Sequence, residues 1–227
     1  MTDFDRVPKD RIVRLYGKIS DSREVRTITP DRERFMAESV FESLIKLGNI
    51  SREPVSILIY NAGGNVEAGL TIVSGIEHLQ AKGVDVQMLA LGPSLSMASI
   101  ILAAGTIGKR YALARSTVHF HAPYFDPAGL KPEEIEKRKA RGERLAVQLR
   151  NILATRTNIP EYWRGKQQDN TELITDPEVR VKWVREFLSD ERYLSAEEAL
   201  KARVIDAVLK PGDARLDTIF KLERSAE

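Results

Sequence analysis

Apolar positions along the chain switch between two rhythms, and the switch marks the elements. Arg11-Ile-Val-Arg-Leu-Tyr16 alternates with a period of two and stops at Gly17, as a strand does. Thr29-Pro30-Asp31 predicts a helix start, with Thr29 as cap and Pro30 in the first turn. Phe35, Met36, Val40, Leu44 and Leu47 then recur at helical spacing, and Gly48-Asn49 predicts the stop. Val55-Ser-Ile-Leu-Ile-Tyr60 is a short apolar run between turn residues, the pattern of a strand covered on both faces in a parallel sheet. Residues 66–81 carry Ala68, Ile72, Ile76 and Leu79 on one helical face. The unit then repeats: a strand over 84–91, a turn at Gly92 to Ser96, and a small-residue helix to about Ala104. Further strands are predicted over Gly108–Leu113, Thr117–His121 and Val204–Leu209.

The second half reads differently. Leu130 to about Arg156 is a long helix with dense alternating charge in its first half and Leu145, Val147, Leu149, Ile152 and Leu153 to bury in its second. A helix so polar at one end projects from its domain or lies between subunits. Residues 158–176 are rich in turn formers, with Tyr162-Trp163 among them, and Pro177 to about Leu188 is helical. Ser195 and Glu198 form a capping box for a short helix, and the tail after Pro211 is helical and weakly anchored. Recurring strand–turn–helix units define an α/β protein, read as one domain over residues 1–227 with residues 1–10 as a loose arm.

Composition narrows the chemistry. The 227 residues hold 35 Lys+Arg against 33 Asp+Glu, a net charge of +2, too balanced for nucleic acid or an anionic membrane as main partner. Cysteine is absent, which excludes disulfides and thiolate catalysis. The first ten residues lack the apolar core of a signal peptide. The longest apolar run, Met97 to Ala104, is far short of the roughly 20 residues of a membrane helix. A cytoplasmic protein is expected.

Three stretches carry candidate chemistry. Gly63-Gly64 after a strand permits positive φ and close backbone approach to a ligand, or serves as an ordinary tight connection. Ser96 stands at a strand-to-helix turn, where it is either a helix cap or a nucleophile beside outward-pointing amides. His119 and His121 lie two apart on a strand and so share a face, open to structural, metal or acid–base roles.

Taken together these stretches resemble the proteolytic subunit of the Clp protease. The family's Ser-Pro-Gly-Gly is Asn61-Ala62-Gly63-Gly64 here, and its Gly-x-Ala-Ala-Ser-Met is Gly92-Pro-Ser-Leu-Ser96-Met97. Gly108-Lys-Arg-Tyr-Ala-Leu113 is similar to the family's own sequence. So are Val118-His-Phe-His121-Ala-Pro123 and the closing Tyr193-Leu-Ser-Ala-Glu-Glu-Ala199 with Val204-Ile-Asp206. Five motifs in order over about residues 11–210 make the resemblance specific. It implies the spiral of repeated ββα units shared with the crotonase fold, with residues 130–157 as its projecting handle helix. It implies a serine endopeptidase with Ser96 as nucleophile, His121 as general base, and the backbone N–H groups of Gly64 and Met97 as oxyanion hole. His119, on the family's Met position, is assigned to packing or to support behind the catalytic pair. No metal or other cofactor is implied. The implied partners are a polypeptide substrate, further copies in homo-oligomeric rings, and an ATP-dependent unfoldase.

Three departures stand out. The family's third residue, an Asp six positions before the closing aromatic, is Phe187 here. Glu186, Asp190, Asp176 and Asp169, all in the divergent segment 158–190, are the candidates to replace it, and Glu191 lies close by. Losing that carboxylate costs about four orders of magnitude in turnover in serine proteases, so a silent scaffold subunit of a mixed complex is the second reading. Leu95 stands where the family has a small residue, which predicts a narrower site. Few residues precede the first strand, which predicts reduced gating loops. An acyl-CoA enzyme of the crotonase fold and a Ser-Lys pair using Lys109 are the remaining alternatives.

Overall fold

Parallel strands with hydrophobic side chains on both faces set the architecture of the computed structural model, which describes residues 10–20, 36–124, 127–167 and 174–221. Strands β1 (Ile12–Tyr16), β2 (Val55–Asn61), β3 (Val86–Leu95) and β4 (Arg110–Leu113) run parallel side by side, with β7 (Ala207–Leu209) beyond β4. β2 is the covered central strand that its unbroken apolar run predicts, pairing β1 through Val13↔Ile57 and β3 through Ile57↔Met88. Strand β3 changes partner along its length. Met88 to Ala90 pair with β4, whereas Pro93 to Leu95 pair with β5 (Thr117–Phe120). Antiparallel β6 (Arg192–Ser195) closes that outer branch, with His119 opposite Tyr193.

The pleat sorts side chains between two cores. Val13, Leu15, Ile57, Ile59, Met88 and Ala90 face the larger one, and Ile12, Leu58 and Leu89 face the smaller. The helices α1 (Met36–Ile50), α2 (Val66–Ala81) and α3 (Met97–Ala103) cover the first. Helix α8 (Ala214–Phe220) covers the second through Ile219, which is 2% exposed, so the tail is better anchored than its sequence suggests. The mixed α/β architecture with its parallel sheet is the one expected from the recurring strand–turn–helix units.

Some expectations change. Helix α1 runs through Gly48-Asn49 to Ile50. Gly48 is a contact residue: a Cβ there would lie 3.2 Å from Leu79, so its absence lets α1 settle onto α2. The expected cap at Thr29-Pro30 lies outside the described residues. Part of the turn-rich segment is helical, as α5 (Ile159–Lys166), because Pro160 and Gly165 sit at its two ends where their costs are small. Strand β7 is shorter than predicted, since Asp206 leaves the ladder to bond Arg110. Helix α4 (Pro132–Arg156) matches the predicted handle. Its first half is exposed, and Ala146, Leu149, Leu153 and Ala154 bury the second half. Arg141 nonetheless ties the polar half to Glu67 on α2 through two hydrogen bonds. Helices α6 (Pro177–Phe187) and α7 (Ala196–Lys201) complete the chain, α7 opening on the predicted capping box. Among the described residues no helix is long and apolar enough to cross a membrane.

Candidate active site

The fork in β3 creates the site. Past Ala90 the strand turns toward β5 and ends at Leu95, so Ser96 emerges where the two branches part. Ser96 takes φ 54° and ψ −124°, outside the favoured regions for an L-residue. Its side chain caps nothing in α3, which removes the helix-cap reading. The turn is held from behind: Ser96 N–H donates to the His119 carbonyl at 2.9 Å. The buried Ser99 hydroxyl lies 2.6 Å from the Ser94 carbonyl and 2.7 Å from that of His119.

The same ladder carries His121 to the spot. Its Nε2 is 2.8 Å from Ser96 Oγ, and its Nδ1 is 2.7 Å from the Ala122 carbonyl oxygen. A carbonyl oxygen only accepts, so Nδ1 carries the proton. In its neutral form the ring then presents Nε2 as acceptor, and the Ser96 hydroxyl donates to it.

Gly63 and Gly64 shape the facing wall. Asn61, 2% exposed, fixes them: its Oδ1 accepts from Gly63 N–H at 2.7 Å while its Nδ2 donates to the Gly17 carbonyl at 2.6 Å. Gly63 has φ +92°, and a Cβ would sit 2.7 Å from the Ser96 Cβ. Gly64 has φ +150°, and a Cβ would collide with the Ile19 carbonyl at 2.2 Å. Only glycine fits either position. The Gly64 and Met97 amides border the same cleft, and among the described residues neither is spent on another acceptor. Met97 itself lies flat on α2 at Gly69, where a Cβ would be 2.2 Å from its Cγ. Gly69→Ala is therefore expected to lose about 1–3 kcal/mol through overpacking, read as a lower thermal midpoint.

The cleft holds about 750 Å³ and is bordered by Gly64, Leu95, Ser96, Met97, His121 and Leu149. Leu95 does stand on its wall, as its sequence position predicts. His119, 7% exposed, stacks between His121 and Tyr193, with ring centroids 5.2 and 4.1 Å away. Burial, then the neighbouring His121, hold its pKa below the usual imidazole value, against the opposing pull of Glu191.

The expected acids are elsewhere. Asp176 caps α6 by accepting from Glu178 N–H at 2.8 Å. Asp190 pairs with Arg192 at 3.4 Å, and Glu186 is exposed on α6. None of the three bonds to His121, whose Nδ1 is taken by a carbonyl. Asp169 lies outside the described residues. Phe187, at the family's acid position, is fully buried against Phe120 and Trp163. Lys109 bonds Asp85 at the far end of the sheet, which removes the Ser-Lys alternative. Among the described residues no group of three or more His, Cys, Asp or Glu is set to hold a metal ion.

An alcohol, an imidazole and unspent backbone amides around one cleft are the components of acyl-transfer chemistry. A family model described as Clp protease matches residues 7–212. The chain belongs to the Clp protease family.

Proposed function

We propose that this chain is a serine endopeptidase that cleaves polypeptide with Ser96 as nucleophile and His121 as general base. The Ser96–His121 hydrogen bond, with the proton already on Nδ1, is the observation that carries the reading. In the reaction Nε2 takes the hydroxyl proton as Oγ attacks the scissile carbonyl carbon. The carbonyl π pair moves to oxygen, where the Gly64 and Met97 amides receive the charge. The tetrahedral intermediate collapses, the proton passes from Nε2 to the leaving amine, and water repeats the cycle on the acyl-enzyme. The Ala122 carbonyl keeps the ring in the productive tautomer, a task that falls to the Asp in the usual triad.

Family membership supports the wider reading: copies of this chain assemble into rings, α4 supplies charged surface for ring contact, and an ATP-dependent unfoldase delivers substrate. A cytoplasmic location goes with it. The scaffold reading draws on one observation, the burial of Phe187 where the acid belongs. A fluorophosphonate probe separates the two. The folded, assembled protein is expected to form one adduct, mapped to Ser96 by peptide sequencing. No adduct under conditions where a control serine peptidase labels would leave the scaffold reading standing.

A further inference from the structure

Every imidazole that takes a proton in a protein interior needs something to offset the charge. The Ala122 carbonyl fixes the tautomer of His121 but carries only a partial negative charge. The described walls of the cleft hold a single carboxylate, Glu191. It is neither at the family's acid position nor bonded to His121, yet its placement is specific. The β5–β6 ladder pairs His119 with Tyr193 and Phe120 with Arg192, and one step further lie His121 and Glu191. Both border the cleft. The Glu191 Oε2 faces the His119 Nε2 at 3.8 Å, and the His119 ring stacks on that of His121.

The second observation is His119 itself. Its Nε2 is buried without a hydrogen-bond partner. A buried polar atom without a partner costs about 1–3 kcal/mol and persists where function uses it. A half-ångström to one-ångström closing of the exposed Glu191 side chain would make the missing bond.

We propose that Glu191 is the positioning carboxylate of this site, acting on His121 across the His119 ring to offset the charge that develops on the base. The inference rests on the peptidase reading above. While His121 holds the proton of Ser96, Glu191 is the facing negative charge. His119 stays neutral and spans the gap, donating from Nε2 to the carboxylate and stacking its face on the charged ring. Burial keeps protonated His119 unfavourable, so the bridge adds no like charge beside the base. The other titratable groups on the cleft are Lys18 from the segment after β1, Tyr124 after β5 and Tyr193 on β6. Helices α2 and α4 present only Val66 and Leu149 there, so among the described residues no second carboxylate stands beside Glu191.

The test compares wild type, Glu191→Gln and His119→Met in the assembled protein, following hydrolysis of a short fluorogenic peptide and fluorophosphonate labelling of Ser96 across pH 5–9. A negative charge favours the imidazolium, so removing it disfavours the charged form that develops in the reaction. Glu191→Gln is expected to move the acid limb of kcat/KM down by about half a unit or more, lower kcat roughly tenfold and leave KM unchanged. His119→Met, which removes the bridge but keeps the carboxylate, is expected to show the same direction with a smaller shift. Glu191→Asp should recover part of the loss. Glu191 is largely exposed, so its two variants should keep the wild-type melting temperature. If Ser96 labels in wild type and Glu191→Gln follows an identical pH curve, the role of Glu191 is wrong and the peptidase reading survives. If wild type does not label at all, the peptidase reading fails first.

Discussion

On the proposed mechanism, Ser96→Ala is expected to lower peptide turnover by more than about 10⁴-fold while the protein keeps its fold. The size follows from what remains. In a triad that loses its acid, most of the penalty comes from an imidazole in the wrong tautomer. Here the Ala122 carbonyl holds the proton on Nδ1, so the pair starts from the productive form and has correspondingly more to lose. The residual rate reports the oxyanion amides and substrate binding alone. Stability should hardly change, because the hydroxyl caps nothing and the turn is fixed by the Ser96 N–H and by Ser99. The measurement is steady-state hydrolysis of a fluorogenic peptide beside a thermal melt. A loss below about tenfold in kcat would place the nucleophile elsewhere.

Asp206→Ala is expected to destabilise the fold by about 3–5 kcal/mol. Arg110 is 1% exposed. Its guanidinium bonds Asp206 through Nε at 2.9 Å and Nη2 at 2.7 Å. The same carboxylate accepts from the backbone N–H groups of Gly108 at 2.8 Å and Arg110 at 3.0 Å. Removing it leaves a buried cation and two amides without their acceptor, the costly half of a broken ion pair. Replacing both partners, Arg110→Met with Asp206→Leu, is expected to recover most of the loss. Denaturant unfolding of the single and double variants decides it: equal losses in both would show that the charge pair is not the cause.

The same carboxylate sets an acid limit. Burial pushes the Asp206 carboxyl up, but the Arg110 hydrogen bonds and charge together outweigh it, and the net direction is down. A group with a depressed folded pKa stabilises above its unfolded value, near pH 4, and loses that contribution as pH falls through the folded value. Stability should therefore fall below about pH 4 in wild type and less steeply in the double variant.

The sequence was most legible where burial is two-sided. Strand β2 and helix α2 sit under apolar cover, and periodicity predicts them with small boundary errors, whereas β3, expected to end at Leu91 before a turn, runs on to Leu95. Gly48 misleads because the same residue serves a helix stop and a close helix contact, and only Leu79 across the interface distinguishes them. Helix α5 is hidden by a proline and a glycine that look like turn residues until their places at its ends are known. Ser96 and His121 were readable as residue types in motifs, but their 2.8 Å contact depends on β3 changing partners, which no local pattern records. The acid was the least legible. The family's spacing leads to Phe187, whose side chain belongs to the core. Glu191 lies across a strand pair from the histidines, a relation of sheet register that reading along the chain does not display.

Ser96 and His121 hang from one rung, the Ser96 amide on the His119 carbonyl, so the two reacting groups share one piece of the sheet. Displacement of the opposite rim of the cleft, formed by Lys18 after β1 and Leu149 on α4, would widen or narrow the passage for substrate without altering the gap across which the proton jumps. Substrate entry and bond cleavage are thereby mechanically decoupled, and a mutation that loosens the periphery should change how fast peptides arrive long before it changes how fast they are cut.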